Sequence, residues 1–320
     1  MLHTLTAIKS DGIYVMNKKP SATHYLLLFA IALIWGSQFI FNQIVLREMP
    51  PLTLAAGRAS IGALTLTLIG CFLGEERRRA AASARKLFGT YLLLAFFEAL
   101  LPLFLLGWGQ AHVESSVASI LMGTIPIFTV LLAPAVVGGR HWTRPAILSV
   151  ASGFIGIVVL MAPELHSGDS HNILGNLAVL GSAASVSVSL LLFNRLGDLS
   201  PVITVRNILI LAALPLIALA AAIDRPWTLN ISHEALLSLM LLGVFCAGIV
   251  YLMFARLIQL AGSVFTSLTN YLSPLIGVLI GALVAQEAVG INAWFALALI
   301  AGAVIVNQPA LLRRKSRRPR

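Results

Sequence analysis

Long apolar runs separated by short polar breaks follow one another from about residue 25 to about residue 308. Each run approaches or exceeds the ~20 residues that a helix needs to cross the hydrocarbon core of a bilayer. The runs are too long for barrel strands and do not alternate polar with apolar residues, so we predict an all-α membrane protein. The ten predicted spans cover residues 25–46, 53–73, 88–110, 115–137, 146–162, 173–194, 202–222, 234–258, 264–285 and 291–308.

The composition agrees with this pattern and excludes a large soluble domain. Charged residues make up 11% of the chain and hydrophobic residues 58%, whereas soluble domains carry about 25% charged residues. Cys71 and Cys246 both fall within predicted spans, where cysteine is typically a small packing residue rather than a disulfide or metal ligand. The histidines have no zinc-like spacing, so we predict no metal site.

The net charge of +10 is explained by where the basic residues lie. Lys and Arg collect in the cytoplasmic loops of membrane proteins. With a cytoplasmic N-terminus, the outer connections carry only Arg47 and Arg225, and Arg58 and Arg206 lie within spans. We therefore predict an inner (plasma) membrane protein with both termini in the cytoplasm. The basic tail is predicted to anchor the topology and to contact anionic lipid, in preference to nucleic acid.

A polar break near the middle of the chain separates five spans from five. An odd number of spans in each half makes the second half enter the membrane from the opposite side, which is the inverted-repeat plan of many transporters. We predict a cytoplasmic segment 1–24, a first five-helix repeat 25–162, an external linker 163–172, a second repeat 173–308 and a cytoplasmic tail 309–320.

Four short motifs stand in a fixed order within this frame. They are Trp-Gly-Ser-Gln-Phe at 35–39, Pro-Pro at 50–51 followed by Arg58, Ser119-Ile120-Leu121 leading to Pro126, and Leu272-Ser273-Pro274 followed by Gly277, Gly281 and Glu287. In this order and spacing the chain resembles the EamA-type transporters of the drug/metabolite transporter superfamily. One departure is Gly138-Gly139-Arg140, because the family commonly has Gly-Glu there.

The resemblance implies ten helices in two inverted five-helix repeats, in an inner or plasma membrane. It also implies export or exchange of small metabolites, often amino acids, and no bound cofactor. Members of the family differ widely in substrate, so the fold alone does not assign one.

Glu98 is the candidate functional residue that its position singles out most sharply. It lies midway along the third predicted span, four residues before Pro102. An ionised carboxylate at mid-bilayer costs several kcal/mol, roughly 2.5–3.5 on translocon scales. Glu98 must therefore face a cavity, pair with a cation such as Arg58, or stay protonated. We hypothesise that it lines a central cavity and binds a cationic group or carries a coupling proton.

Other polar groups within the spans complete the predicted site. Arg58 would bind a carboxylate, from substrate or from Glu98, or it would extend to the outer interface. Trp35, Ser37, Gln38 and Asn42 form a polar stripe that fits either substrate contact or contact between helices. Further candidates lie on the fourth, eighth and ninth spans, with Pro126 and Pro274 as hinges: Ser119, Tyr251, Thr266, Thr269, Asn270 and Ser273.

Three functions compete for these features. We predict a secondary transporter of small metabolites, most simply amino acids or related zwitterions, that works by alternating access with a proton as one possible coupling ion. The alternative is a multidrug or guanidinium-type cation exporter, and a contact between Glu98 and Arg58 would favour the amino-acid function over it. An intramembrane enzyme would need converging catalytic groups, and Glu98 stands alone. The number of copies in the assembly stays open.

Overall fold

A computed structural model of the 320-residue chain describes residues 9–10, 13–14, 21–72, 87–137, 144–193, 196 and 200–313. We number its helices in chain order. They are α1 Ala22–Leu46, α2 Pro51–Phe72, α3 Phe88–Gln110, α4 Ser115–Val137, α5 Arg144–Ser167, α6 Ser170–Phe193, α7 Pro201–Ile223, α8 His233–Gly262, α9 at 263–283 and α10 Ile291–Arg313. Strands β1 Lys9–Ser10 and β2 Ile13–Tyr14 pair antiparallel, and Pro226–Thr228 is a short 3₁₀ turn.

Three of these helices are irregular, and a bend separates α8 from α9. α3 contains the π-helical segment Ala95–Leu100, and α8 contains the π-helical segment Leu242–Ile249. α4 is interrupted at residues 123–124. The helix Val250–Thr266 changes direction at Gly262, whose φ of 80° is open to glycine, so we assign the residues after Gly262 to α9.

Helices α1 to α8 are each long and apolar enough to cross a bilayer. Within the described residues, the two other apolar helices are the shorter Thr269–Leu283 and Ile291–Ala303. Many large apolar side chains on the outside of the bundle are exposed, such as Leu64, Leu148, Leu214 and Phe295, each at least 60% accessible. A bundle that exposes so much apolar surface is suited to lipid.

Several boundaries differ from the sequence prediction. The external linker predicted at 163–172 is in fact only Gly168 and Asp169, because α5 continues past Pro163 to Ser167 and α6 begins at Ser170. Gly168, with φ of 69°, ends α5 in the left-handed conformation that commonly closes a helix. The predicted basic tail begins inside α10, which runs to Arg313. Residues 314–320, most of 1–24 and Gly138-Gly139-Arg140 lie outside the described residues.

The helix contacts recur between the two halves of the chain, α1–α5 and α6–α10. α1 packs on α9 and α6 packs on α4; α1 packs on α8 and α6 packs on α3; α2 packs on α7 and α5 on α10. A shift of five helices relates the two contacts in each of the first two pairs, and it maps α2–α7 and α5–α10 onto themselves. The π-helical segments of α3 and α8 also stand five helices apart.

One side of the bundle carries residues 47–50, 111–114, 168–169, 224–232 and 284–290, and we call it the connection face. Contacts across it hold these connections together: Glu48 contacts Ser232, and the Glu287 side chain contacts Ser115. The opposite side, where Ser21, Leu87 and Gly262 lie, is called the terminal face.

We expect the close approach of α3 and α6 at Gly109 to limit what the core tolerates. A Cβ built at Gly109 would lie 2.6 Å from Val179 Cγ2 and 2.8 Å from the Gly175 carbonyl oxygen, so Gly109→Ala should lower the free energy of unfolding by about 1–3 kcal/mol. Gly89→Ala in the same helix is the control, because nothing lies within 4 Å of its Cβ. Denaturant titration in detergent micelles measures both, and equal effects would contradict this packing.

Candidate functional site

A cavity of about 490 Å³ lies between the two halves of the chain. Residues of eight helices line it, and it reaches the exposed Pro201 at the start of α7, toward the terminal face. Its size is within the range of small-molecule sites. The sequence-predicted residues among its lining are Trp35, Gln38, Arg58, Glu98, Ser119, Pro126, Tyr251, Asn270, Ser273 and Pro274.

Glu98 faces this cavity from an irregular part of α3. It belongs to the π-helical segment Ala95–Leu100, which ends two residues before Pro102. Pro102 has no backbone N–H, and its ring would collide with the carbonyl of the residue four positions earlier, which is Glu98. The helix widens there, as π-bulges do, and such bulges are frequent at functional sites.

The carboxylate of Glu98 is held by hydroxyl groups from the other half of the chain. Tyr251 of α8 donates a hydrogen bond to its Oε1 over 3.0 Å, and Ser189 of α6 donates to its Oε2. Hydrogen bonds to a charged acceptor are stronger than those between neutral groups. Glu98 is therefore bonded to two neutral donors, both across the interface between halves.

Arg58 lines the same cavity and is almost fully buried, with 6% of its surface exposed. Its Nη2 donates to Gln38 Oε1 over 2.5 Å, and its buried Nε has no hydrogen-bond partner. The alternative that Arg58 extends to the outer interface is therefore wrong. The alternative of a Glu98–Arg58 ion pair is also wrong, because the hydrogen bonds of these two described residues go to Gln38, Tyr251 and Ser189 instead.

Aromatic rings form one wall of the cavity. The rings of Trp35 and Tyr251 meet edge to face with centroids 6.1 Å apart, and Trp35 and Phe254 lie 5.2 Å apart. The Tyr251 hydroxyl, which donates a hydrogen bond to Glu98, connects this aromatic wall to the carboxylate. Aromatic faces attract cations, so this wall suits an ammonium group or an apolar side chain.

Four predicted site residues are turned away from the cavity. The Ser37 hydroxyl donates to the Ile34 carbonyl, and Thr266 and Thr269 donate to the carbonyls of Gly262 and Thr266. Of the two alternatives for the polar stripe, contact between helices holds for Asn42, and neither Ser37 nor Asn42 lines the cavity. The prediction that Thr266 and Thr269 line the wall is wrong. The reason is that short hydroxyl side chains readily bond to their own helix.

Asn42 takes part in a buried amide pair nearer the connection face. Its Nδ2 donates to Gln110 Oε1 over 2.7 Å, and Gln110 Nε2 donates to the Phe39 carbonyl over 3.0 Å. Both amide side chains are buried, at 1% and 3% exposure. Neither of them lines the cavity, so this pair joins α1 to α3 on its connection-face side.

The crossing of α4 and α9 forms another wall. The Ser119 hydroxyl donates to the Pro274 carbonyl over 3.0 Å, and Asn270 and the unpartnered Ser273 hydroxyl lie on the cavity side of α9. Pro274 is inside a helix, as predicted. Pro126, in contrast, is the second residue of the helical segment Ile125–Val137, so the break in α4 precedes it.

Ser189 is the functional candidate that the sequence analysis missed. It belongs to a run of serines on α6 at positions 182, 185, 187 and 189. Ser182 lines the cavity and donates to the Pro102 carbonyl over 3.0 Å. The density of serine in an apolar span was the available signal, since hydroxyl groups in lipid-buried helices bond across helices.

Comparison with known proteins identifies this architecture. The model of the EamA-like transporter family matches the chain twice, over residues 22–162 and 173–307. The chain belongs to the EamA-like transporter family. The recognition made from the short motifs is thereby confirmed.

The relatives of this EamA-like transporter are distant but cover most of its length. It is 22% identical over 290 residues to the Uncharacterized transporter YoaV of Bacillus subtilis, covering 90% of this chain and 97% of YoaV. It is 22% identical over 265 residues to Protein PagO of Salmonella typhimurium, covering 79% and 82% of the two chains. A solved structure described as "Crystal structure of protein" matches with a TM-score of 0.61 at 18% identity, over 93% of this chain and all of that one.

The chain is therefore a multi-pass integral membrane transporter of the drug/metabolite transporter superfamily, with a small-molecule substrate and a lipid environment. Among the described residues, no group of three His, Cys, Asp or Glu side chains could hold a metal ion.

We expect Tyr251 to be a structural partner of Glu98 as well as a cavity wall. Tyr251→Phe leaves Glu98 without one of its two donors, which should lower the free energy of unfolding by about 1–3 kcal/mol. Tyr271→Phe is the matched control, because the Tyr271 hydroxyl is buried without a partner; its loss should leave stability unchanged or slightly raised. Denaturant titration of both variants in micelles checks this, and a larger loss for Tyr271→Phe would contradict it.

Proposed function

We propose that this EamA-like transporter exports or exchanges small zwitterions, most simply amino acids, by alternating access. The observation that carries the proposal is that one cavity is lined by a carboxylate, Glu98, and a guanidinium, Arg58, that are not bonded to each other. An ammonium group can bind at Glu98 while a carboxylate binds at Arg58. The planar guanidinium suits a carboxylate.

The remaining lining supports the same substrate class. Away from the two charges the cavity is mainly apolar, with the aromatic rings of Trp35, Phe39 and Phe254. The unpartnered Ser273 hydroxyl and Arg58 Nε are polar groups that a bound substrate could satisfy. Burying such groups without partners costs free energy, so a ligand that bonds to them gains affinity.

We propose that ten spans in two inverted repeats provide the movement. Counting α9 from the bend at Gly262 gives it 263–283, about 31 Å at 1.5 Å per residue, which is enough to cross. The twofold family match and the recurrence of helix contacts five helices along the chain support the repeats. The inverted halves would rock about the cavity, with Pro126 and Pro274 beside the α4–α9 crossing as hinges.

A second candidate function is export of organic cations. Glu98 is bonded only to hydroxyls, and the contact with Arg58 that would have favoured a zwitterion directly is absent. A carboxylate next to Trp35 and Tyr251 offers a cation both a charge and aromatic faces. The two functions differ in the role of Arg58, because a purely cationic substrate has no carboxylate to bind the buried guanidinium.

Counterflow in proteoliposomes tests the zwitterion proposal. Vesicles loaded with a mixed amino-acid pool should exchange a subset of amino acids through the wild-type protein, and Arg58→Gln should slow that exchange by about 30-fold or more, the scale of removing one partner of a buried charge contact. Arg206→Gln is the matched control, since Arg206 stands at a similar place in α7 but does not line the cavity. If Arg58→Gln leaves exchange intact while organic cations are carried, the cation function replaces this one.

The role of Glu98 is tested by pH. We propose that Glu98 binds the substrate ammonium or carries a coupling proton, so Glu98→Gln should reduce counterflow by at least about tenfold and flatten its dependence on pH, as loss of a buried charge–charge contact predicts. Glu234→Gln, an exposed carboxylate on the connection face, serves as the control. A Glu98→Gln protein that transports at the wild-type rate at every pH would rule out both roles.

A further inference from the structure

Three carboxylates on the connection face bind the first turns of helices from the opposite half of the chain. We call Glu48, Asp224 and Glu287 the clamp carboxylates. The first four N–H groups of a helix have no partner within it, and the helix N-terminus carries partial positive charge. A carboxylate from another helix satisfies both at once, and each such contact here joins the first half to the second.

Glu287 makes the most extensive of these contacts. It lies in the connection between α9 and α10, and it accepts hydrogen bonds from the Ser115 amide at 2.8 Å, the Ser115 hydroxyl at 2.6 Å and the Ser116 amide at 2.9 Å. Ser115 and Ser116 are the first two residues of α4 and are each 1% exposed. The second half thus caps the helix on which Ser119 and the α4 break lie.

Asp224 and Glu48 make similar contacts on the same face. Asp224, at the end of α7, accepts from the Thr53 amide and hydroxyl, both at 2.8 Å. Glu48, after α1, accepts from the Ser232 amide at 2.6 Å, at the start of α8. That backbone hydrogen bond holds the pKa of Glu48 below its ordinary value, so the carboxylate is ionised at neutral pH.

The cavity is placed asymmetrically with respect to these contacts. It reaches Pro201 and Leu196 toward the terminal face. Toward the connection face the buried Asn42–Gln110 pair does not line it, and the clamp carboxylates lie beyond that pair. The described conformation therefore has its cavity on the terminal-face side of a joined connection face.

We propose that Glu48, Asp224 and Glu287 are the outer gate of the transport cycle: their contacts hold the connection face closed, and opening the cavity to that side requires them to release α8, α2 and α4. This inference rests on the proposed alternating-access function. It assigns a role in transport to three residues that do not touch the substrate cavity. Their effect should be on the balance between conformations and not on substrate recognition.

Accessibility of a cavity cysteine tests the gate without knowledge of the substrate. The reporter is Leu103→Cys, a half-buried cavity position, in a Cys71→Ser, Cys246→Ser background. A membrane-impermeant maleimide should modify it slowly from the connection face. Glu287→Gln should raise that rate about tenfold, because it removes the charge that favours the closed state.

Glu234→Gln is the matched control. Glu234 is an exposed carboxylate in the first turn of α8, on the same face, and its replacement should change the labelling rate less than about twofold. Asp224→Asn should behave like Glu287→Gln, which keeps the test open if one variant fails to fold. No increase in labelling from the connection face with either variant would overturn the gate.

A reversible lock tests the same claim from the opposite direction. Thr53→Cys with Asp224→Cys replaces a 2.8 Å cross-half contact by a disulfide, and in the Glu287→Gln background its oxidation should return the labelling rate to the slow value. The control pair is Asp169→Cys with Asn172→Cys, whose side chains form a 2.9 Å hydrogen bond on the same face but lie only three residues apart in the chain. An oxidised Thr53–Asp224 pair that leaves labelling fast would contradict the proposal.

The two claims fail separately. If the labelling results hold but zwitterions do not exchange in counterflow, the gate stands and the proposed substrate is wrong. If zwitterions exchange but labelling from the connection face is unaffected by every clamp variant, the proposed function stands and these carboxylates are structural caps only, which overturns the gate.

Discussion

The organisation of this transporter depends on how a carboxylate is kept within an apolar bundle. Glu98 lies in the middle of α3, at a depth in the bilayer where an ionised carboxylate is costly. Its hydrogen bonds come from Tyr251 and Ser189, which belong to the other half of the chain. These hydrogen bonds form when the two halves pack as they do here. The contacts that stabilise the Glu98 carboxylate therefore depend on the relative position of the halves.

The backbone of α3 and of α8 is irregular around this site. Pro102 widens α3 into a π-helical segment that carries Glu98, and α8 has its own π-helical segment Leu242–Ile249, which ends two residues before Tyr251. Non-helical backbone is tolerated at membrane depth where it lines a cavity or is buried in protein. Both segments meet that condition, since α2 packs against the glycines of the α8 segment.

The positions of the membrane spans could be predicted from hydrophobicity, because most residues of a span are apolar and the length of each apolar run matches the bilayer. Much of the cavity could be predicted as well, since Glu98, Arg58 and Gln38 are costly in lipid and had to face inward. Hydroxyl residues were harder. Thr266 and Thr269 bond to their own helix, whereas Ser189 bonds to Glu98 across the interface, and spacing along a helix does not distinguish these outcomes.

Contacts between connections that are distant in the chain could not be predicted from the sequence. Glu287 was recognised as a motif residue, but nothing near it in the chain indicates that it caps α4, 171 to 172 positions away. The same holds for Asp224 and Thr53. Such contacts depend on how the two halves pack, which composition and periodicity leave undetermined.

The central claim is that Glu98 and Arg58 are two poles of one substrate site, and ligand-induced stabilisation of the purified protein tests it most directly. The unfolding temperature should rise with a transported amino acid and stay unchanged with both its methyl ester, which lacks the carboxylate, and its N-acetyl derivative, which lacks the ammonium group. Stabilisation by the ester alone, equal to that by the parent amino acid, would contradict the claim and indicate a cation site at Glu98.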